Sequence, residues 1–127
     1  GTIDCIATDH APHNIEEKEN DFVHASCGMI GLETAFSSSY SILNKEKISI
    51  EKIISFFTSG PCKVMNIEKE FLVEGNSAEV VVIDLDKKWK VSKNDFKSKS
   101  SNSGFINETL QSRVVYTISG KNCFINN

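Results

Sequence analysis

The stretch Thr8-Asp9-His10-Ala11-Pro12-His13 concentrates the chemistry-bearing residues of this sequence. A carboxylate and two imidazoles within five residues supply metal ligands and proton carriers together. Pro12 fixes one backbone angle and so stiffens the loop that would present them. Taken alone, the same residues support a blander reading. An Asp at a strand end is often a turn or cap residue, and a His is commonly just a surface residue. His10 reads as a hydrogen-bonding member of the turn, with no metal role assigned. His24 belongs with the solvated loop, and Glu16-Glu17-Lys18-Glu19 reads as a solvated charge run rather than a ligand cluster.

The elements that must position this stretch follow from periodicity. Ile3-Asp4-Cys5-Ile6-Ala7 is short, apolar and partly β-branched, which predicts a buried strand. Asp9 then lies just past its C-terminal end, the edge at which α/β barrels project catalytic groups. Residues 8–24 are polar and read as a long loop of the functional or mobile kind. Gly28 and Gly31 lead into a helix whose Leu32, Ala35, Phe36, Tyr40 and Leu43 share one face, with Glu33 in its first turn. Ser49 caps a second helix with the apolar stripe Ile50, Ile53, Ile54 and Phe57. Gly60 would stop it, and Pro61 would open a short third helix through Cys62, Val64 and Met65.

After about residue 67 the character changes. Phe71-Leu72-Val73, Ala78 to Leu85, Trp89-Lys90-Val91 and Val114 to Ile118 read as strands, with turns at Gly75-Asn76 and Gly120-Lys121-Asn122. Trp89 reads as packing within this region. Residues 97–107, rich in Ser and Asn, predict an exposed loop. One strand and two amphipathic helices leave sheet edges and apolar faces that need partners from elsewhere. The chain also opens on Gly1-Thr2 without Met and enters an apolar run at once, which reads as a cut through a longer protein.

Composition excludes several classes. The 127 residues are 39% apolar and 24% charged, as expected for one modest globular domain. A net charge of −3 and a pI near 5.6 lack the concentrated basic face of a nucleic-acid binder. Lys87, Lys88, Lys90 and Lys93 read as a solvated strand edge or loop. Cys5, Cys27, Cys62 and Cys123 contain no C-x-x-C pair, and Cys5 and Cys62 sit among apolar residues like small buried hydrophobes. A reduced, cytoplasmic protein without a membrane span is the expectation.

Ile6-Ala7-Thr8-Asp9-His10-Ala11-Pro12-His13 resembles the last-strand motif of dihydroorotases of the larger, bacterial monofunctional type. The resemblance continues through Glu16-Glu17-Lys18, the run Gly28 to Phe36, Ser59-Gly60-Pro61, Gly75 to Val80 with Asp84-Leu85, Ser98-Lys99 with Asn102 and Phe105, Thr117-Ile118, and Gly120-Lys121. It covers nearly the whole chain in order. Dihydropyrimidinases and allantoinases share a similar start but typically differ at Ala11-Pro12-His13, so His13 favours dihydroorotase.

The resemblance implies an α/β fold: the C-terminal part of a (β/α)8 TIM-like metallo-dependent hydrolase barrel, then part of a small β-sandwich domain. Residues 1–66 would hold the last barrel strand, the active-site loop and helices, and residues 67–127 the C-terminal strands of the small β-domain. It implies zinc (one or two ions) and hydrolysis of the cyclic amide of dihydroorotate to N-carbamoyl-aspartate, reversibly, in pyrimidine biosynthesis. Asp9 would be both zinc ligand and catalytic acid/base. His13 would contact the substrate carboxylate, and Cys27 and Gly28 would meet the substrate ring through backbone groups. Many relatives have Ala-Pro-bulky-Gly where this chain has Ala25-Ser26-Cys27-Gly28, and without that proline the loop is expected to be more mobile. Ser103-Gly104, where Thr-Pro is usual, lies in a loop expected to stay clear of the chemistry.

The family's His-x-His pair, bridging acidic group and two further His do not occur in this sequence, so the remaining zinc ligands would lie outside it. The expectation for the isolated chain is inactivity, weak zinc binding and poor folding. The partners implied are a small-molecule substrate, no nucleic acid and no membrane, with a homodimer or an association with other pyrimidine enzymes. Two alternatives stand beside this reading: a catalytically silent dihydroorotase-like structural subunit, and another cyclic amidohydrolase of dihydropyrimidinase or allantoinase type.

Overall fold

The computed structural model describes residues 2–126. Four short helices precede a small sheet: α1 (Ile15–Lys18), α2 (Ala35–Leu43), α3 (Ile50–Ser55) and α4 (Ser59–Val64), then β1 (Glu79–Lys90), β2 (Thr109–Ser119) and β3 (Asn122–Ile125). The sheet is antiparallel in the order β1-β2-β3, so β2 is central and the other two strands are edges. The result is a small α/β unit.

Local chemistry explains these elements. Ser49 accepts from the Lys52 N–H and starts α3, as its sequence position predicts. Asn14 does the same for α1 by accepting from the Glu17 N–H at 2.7 Å. The β-branched run of β1 pairs with β2 from Glu79↔Ser119 to Lys90↔Thr109, with an irregularity between Asp84 and Lys88. There the Asp84 carboxylate accepts the N–H groups of Asp86 and Lys87, satisfying backbone donors that leave the ladder. Lys87, Lys88 and Lys90 are exposed along this edge strand, as expected. Gly120 turns β2 into β3 with φ of +59°.

Trp89, Val91 and Leu110 form a buried cluster, flanked by Phe96 and Phe105. Trp89 Nε1 donates to Ser112 O at 2.8 Å, and the Arg113 guanidinium lies 4.4 Å from the Trp89 ring. Helix α2 packs on β2 through polar contacts as well as apolar ones. Ser37 Oγ donates to Ser112 O, and Ser41 Oγ accepts from Gln111 N, both at 2.8 Å. On the helical side Tyr40, Ile53 and Phe56 are buried, and Phe36 joins the two helices by stacking on Tyr40 and tilting against Phe57. Ser112, fully buried at a φ of +69°, has an Oγ with no hydrogen-bond partner.

Several expectations are corrected. Residues 3–7 form no strand: Ile6 N donates to Phe56 O at the end of α3, and Ile3 is exposed. Apolar, β-branched character marks a segment fit for a sheet, but a ladder needs an adjacent strand, and none lies there among the described residues. Phe71-Leu72-Val73 is not a strand either; Leu72 has φ of +56° and is exposed. Trp89 and Lys90 belong to β1 itself rather than to a separate strand, and β3 escaped prediction. Leu32 lies outside α2 and is exposed, and Ile54 faces solvent on α3.

Gly60 does not stop α3. It lies within α4, where a Cβ would come 2.2 Å from Asp4 O, so glycine lets the 3–7 segment pass directly over the helix. Residues 97–107 are not a free loop; Ser98, Ser100 and Asn102 are half-buried against residues 11–33.

Candidate active site

Asp9 occupies a left-handed backbone conformation with φ of +44°, which a short polar residue tolerates better than most. Its side chain is exposed, and among the described residues no hydrogen bond or ion pair engages its carboxylate. Both oxygens are left available for a ligand or a proton. The neighbouring His10 is committed otherwise. Its Nδ1 accepts the backbone N–H groups of Gly31 at 3.1 Å and Leu32 at 3.3 Å, so the neutral ring carries its proton on Nε2. The expected hydrogen-bonding role holds, though the partners lie across the loop rather than within the turn.

Residues 9–13 are joined to residues 27–30 by backbone and side chain alike. Ala11 N donates to Met29 O at 3.0 Å. His13 Nε2 donates to Cys27 O at 2.8 Å, while Nδ1 faces Glu17 Oε2 at 3.3 Å. Gly28 has φ of +95°, and a Cβ there would meet Ala11 Cβ at 2.8 Å. Close approach of the two segments therefore requires glycine at 28. Lys18, the last residue of α1, donates to Ser26 O at 2.7 Å and Gly28 O at 3.0 Å, adding a further tie to the same segment. Asp9, His13, Cys27 and Gly28 thus sit on two interlocked segments. The Cys27 thiol is exposed, and the group of Cys27 that His13 contacts is its carbonyl.

The remaining candidates behave as surface groups. His24 is exposed and faces Asp21 at 2.8 Å; that hydrogen bond, with the N–H groups of His24 and Val23, lowers the Asp21 carboxyl below its ordinary value. All four cysteines are unpaired thiols, Cys5 and Cys62 half-buried rather than fully so. Among the described residues no three His, Cys, Asp or Glu converge as a metal cage, so this chain offers Asp9 as one candidate ligand and not a whole site. A cleft of about 460 Å³ between α2 and the sheet, lined by Leu32, Ser37, Trp89 and Arg113 among others, contains none of the four candidates. No described helix is long and apolar enough to cross a membrane.

Comparison with known proteins finds dihydroorotases and hydantoinases. The chain is 44% identical to a dihydroorotase of Elusimicrobium minutum over 94% of its length, and 44% identical to that of Caldicellulosiruptor saccharolyticus over 90%. A dihydroorotase of Clostridium acetobutylicum is 42% identical over 92%. The sequence is homologous to dihydroorotases. It spans 27–28% of the length of these dihydroorotases, and no protein-family model matches it. Among solved structures, an L-hydantoinase (dihydropyrimidinase) from Arthrobacter aurescens superposes with a TM-score of 0.86 at 28% identity, covering 99% of this chain and 29% of that one. A D-hydantoinase structure superposes over all of this chain, and 29% of its own, with a TM-score of 0.82; at 17% identity it speaks for the fold alone. The homologues are amidohydrolase enzymes.

Sequence reasoning gave no holding role to the residues that brace this loop: Lys18, Glu33 and Asn102, which lie in the runs quoted for the resemblance, and Ser100. For Lys18 a local signal existed, since Asn14-x-x-Glu17 is the pattern of a capped helix that would carry it. Glu33 was placed in the first turn of α2, but the helix begins at Ala35, and Glu33 Oε1 accepts the N–H groups of Lys97 and Ser98, both at 2.9 Å. Those partners are 64 and 65 residues away, and no local pattern reveals them.

Proposed function

We propose that this chain is part of a zinc-dependent dihydroorotase of the cytoplasm that interconverts dihydroorotate and N-carbamoyl-aspartate in pyrimidine biosynthesis. Residues 1–66 would complete a (β/α)8 barrel and residues 67–127 a small β-sandwich domain, the rest of both coming from the longer protein. The observation that carries the reading is the uncommitted Asp9 carboxylate, set at φ of +44° on a loop interlocked with residues 27–29, in a chain 44% identical to dihydroorotases.

A free carboxylate suits one position in a zinc ligand set, with the other ligands supplied from outside this chain. Zinc, when bound, would bring the pKa of a water down to about 7 and polarise the ring carbonyl. Asp9 would take the proton of the attacking water on a carboxylate oxygen and deliver it to the amide nitrogen as the C–N bond breaks. In ring closure the same oxygen would run the path backwards. His13 would exchange one of its present ring partners, Cys27 O or the Glu17 carboxylate, for the substrate carboxylate, and the backbone of Cys27 and Gly28 would meet the substrate ring. The partner this implies is the small-molecule substrate, without nucleic acid or membrane.

The test is ring opening of dihydroorotate by the full-length protein beside its Asp9→Asn variant, which keeps a ligand oxygen but cannot shuttle the proton. Turnover that depends on zinc and drops by roughly 100- to 10,000-fold in the variant supports the reading. A folded, zinc-loaded protein without turnover removes it. The similarity to an L-hydantoinase supports a second reading, hydrolysis of a different cyclic amide. Hydantoin and dihydrouracil therefore belong in the same assay.

A further inference from the structure

We infer that Asn102 is a positioning residue for substrate binding, acting through the backbone of Ala11, His13 and Gly28; the inference rests on the function proposed above. Its side chain lies between the two segments that carry all the candidate site residues. Asn102 Nδ2 donates to Ala11 O at 3.0 Å and to Gly28 O at 3.4 Å, while Oδ1 accepts from His13 N at 3.4 Å. The backbone carbonyl of Asn102 accepts from Ile30 N at 3.0 Å. Ser100 adds a second tie, its Oγ donating to His13 O at 2.6 Å and lying against Asn102 Oδ1.

The chemistry narrows the residue type. Two carbonyls and one N–H must be met by one short planar group that both donates and accepts, which a carboxylate, a hydroxyl or an ammonium cannot do in this arrangement. The segment bearing Asn102 is itself anchored at its start, where Glu33 Oε1 holds the Lys97 and Ser98 N–H groups. None of these bonds reaches Asp9. Asn102 therefore governs where His13 and Gly28 stand relative to a bound substrate, and leaves the proton carrier alone.

The experiment measures dihydroorotate hydrolysis by the full-length enzyme with Asn102→Ala, Asn102→Asp and Ser100→Ala, beside Asp9→Asn. Both Asn102 variants should raise KM by about tenfold or more while kcat stays within about threefold, the loss of two to three hydrogen bonds appearing as weaker binding. Ser100→Ala should raise KM by a few-fold. A residue that merely supports folding would lower the amount of active enzyme, and so apparent kcat, without moving KM. Unchanged KM in both Asn102 variants, or a loss confined to kcat, overturns the inference. If Asn102→Ala does not fold, Asn102→Asp, equal in size and still able to accept from His13 N, decides the matter together with Ser100→Ala. The two levels separate cleanly. An inactive parent enzyme or a fully active Asp9→Asn variant removes the proposed function and this inference with it, whereas a normal parent, an impaired Asp9→Asn and unaltered Asn102 variants remove this inference only.

Discussion

Replacing Gly28 with Ala tests whether the loop segments must touch as closely as they do. Two costs arise, and the structure separates them. The first is conformational: an L-residue held at φ of +95° costs roughly 1–3 kcal/mol. The second is steric, because the new Cβ would sit 2.8 Å from Ala11 Cβ, whereas carbons settle at about 3.5–4.0 Å. One segment must retreat by about 1 Å, an overpacking cost of roughly 1–3 kcal/mol. Gly75 provides the control, with a similar φ of +88° but nothing within 4 Å of its hypothetical Cβ.

Gly75→Ala should carry the conformational cost alone. In the full-length protein, both variants should lower the thermal midpoint, Gly28→Ala by more. Only Gly28→Ala should weaken dihydroorotate binding, by about 5- to 150-fold in KM if the steric cost is expressed there. Equal destabilisation by the two variants, with substrate affinity intact in both, would refute the reasoning that Gly28 is required for contact with Ala11.

Three further outcomes follow from particular contacts. Cys27→Ser should leave KM and kcat within about twofold, because the group of Cys27 in use is its carbonyl; a loss of tenfold or more would show a working thiol. Ser112→Gly should raise the thermal midpoint, relieving a residue at φ of +69° and an unpartnered buried hydroxyl for a gain of about 1 kcal/mol, and a lowered midpoint would count against both claims. Asp95 concerns pH. Burial pushes its carboxyl up, but the Ser92 N–H and hydroxyl and the Arg113 guanidinium outweigh this and hold it below its ordinary value. A lowered folded-state pKa gives stability that is present above the ordinary carboxylate range, about pH 4, and lost as pH falls through the lowered value. Asp95→Asn should therefore flatten the acid-side decline in thermal midpoint between about pH 2 and 5, and an unchanged decline would place its origin elsewhere.

Much of the framework was legible because it is local. The Ser49 cap, the apolar spacing of Tyr40 and Ile53, the valine run of β1 and the Gly120 turn are each determined by a few neighbouring residues. The expected interior position of Trp89 likewise followed from one large side chain in a β region. What escaped depends on residues far apart in sequence. Residues 3–7 have the composition of a strand, yet strand formation is a property of pairs. Gly60 read as a helix stop because glycine usually is one, and its true reason is the carbonyl of Asp4 lying above it.

The candidate loop stood out through Asp9 and His13, whose spacing resembles a known motif. The frame around it did not. Asn102 and Ser100 sit in a Ser- and Asn-rich stretch whose composition says surface, and only tertiary contact converts such residues into hydrogen-bond partners for a backbone. Glu33 was misplaced by two residues, enough to turn a helix-dipole residue into an anchor for another segment.

The bonds from Asn102 to Ala11 and from Ser100 to His13 join residues 91 and 87 positions apart. Closures of that length are among the last to form in a folding chain, since the entropy of bringing the ends together must be met before the contact repays it. During synthesis Ala11 and His13 therefore emerge long before the segment that ties them down, which follows β1 in the chain. The order also runs in reverse. Loosening residues 97–102 would release the loop while the β1–β2 ladder stays intact, so hydrogen exchange should find the amides of Ala11 and Ile30 opening together, ahead of those in the centre of β2.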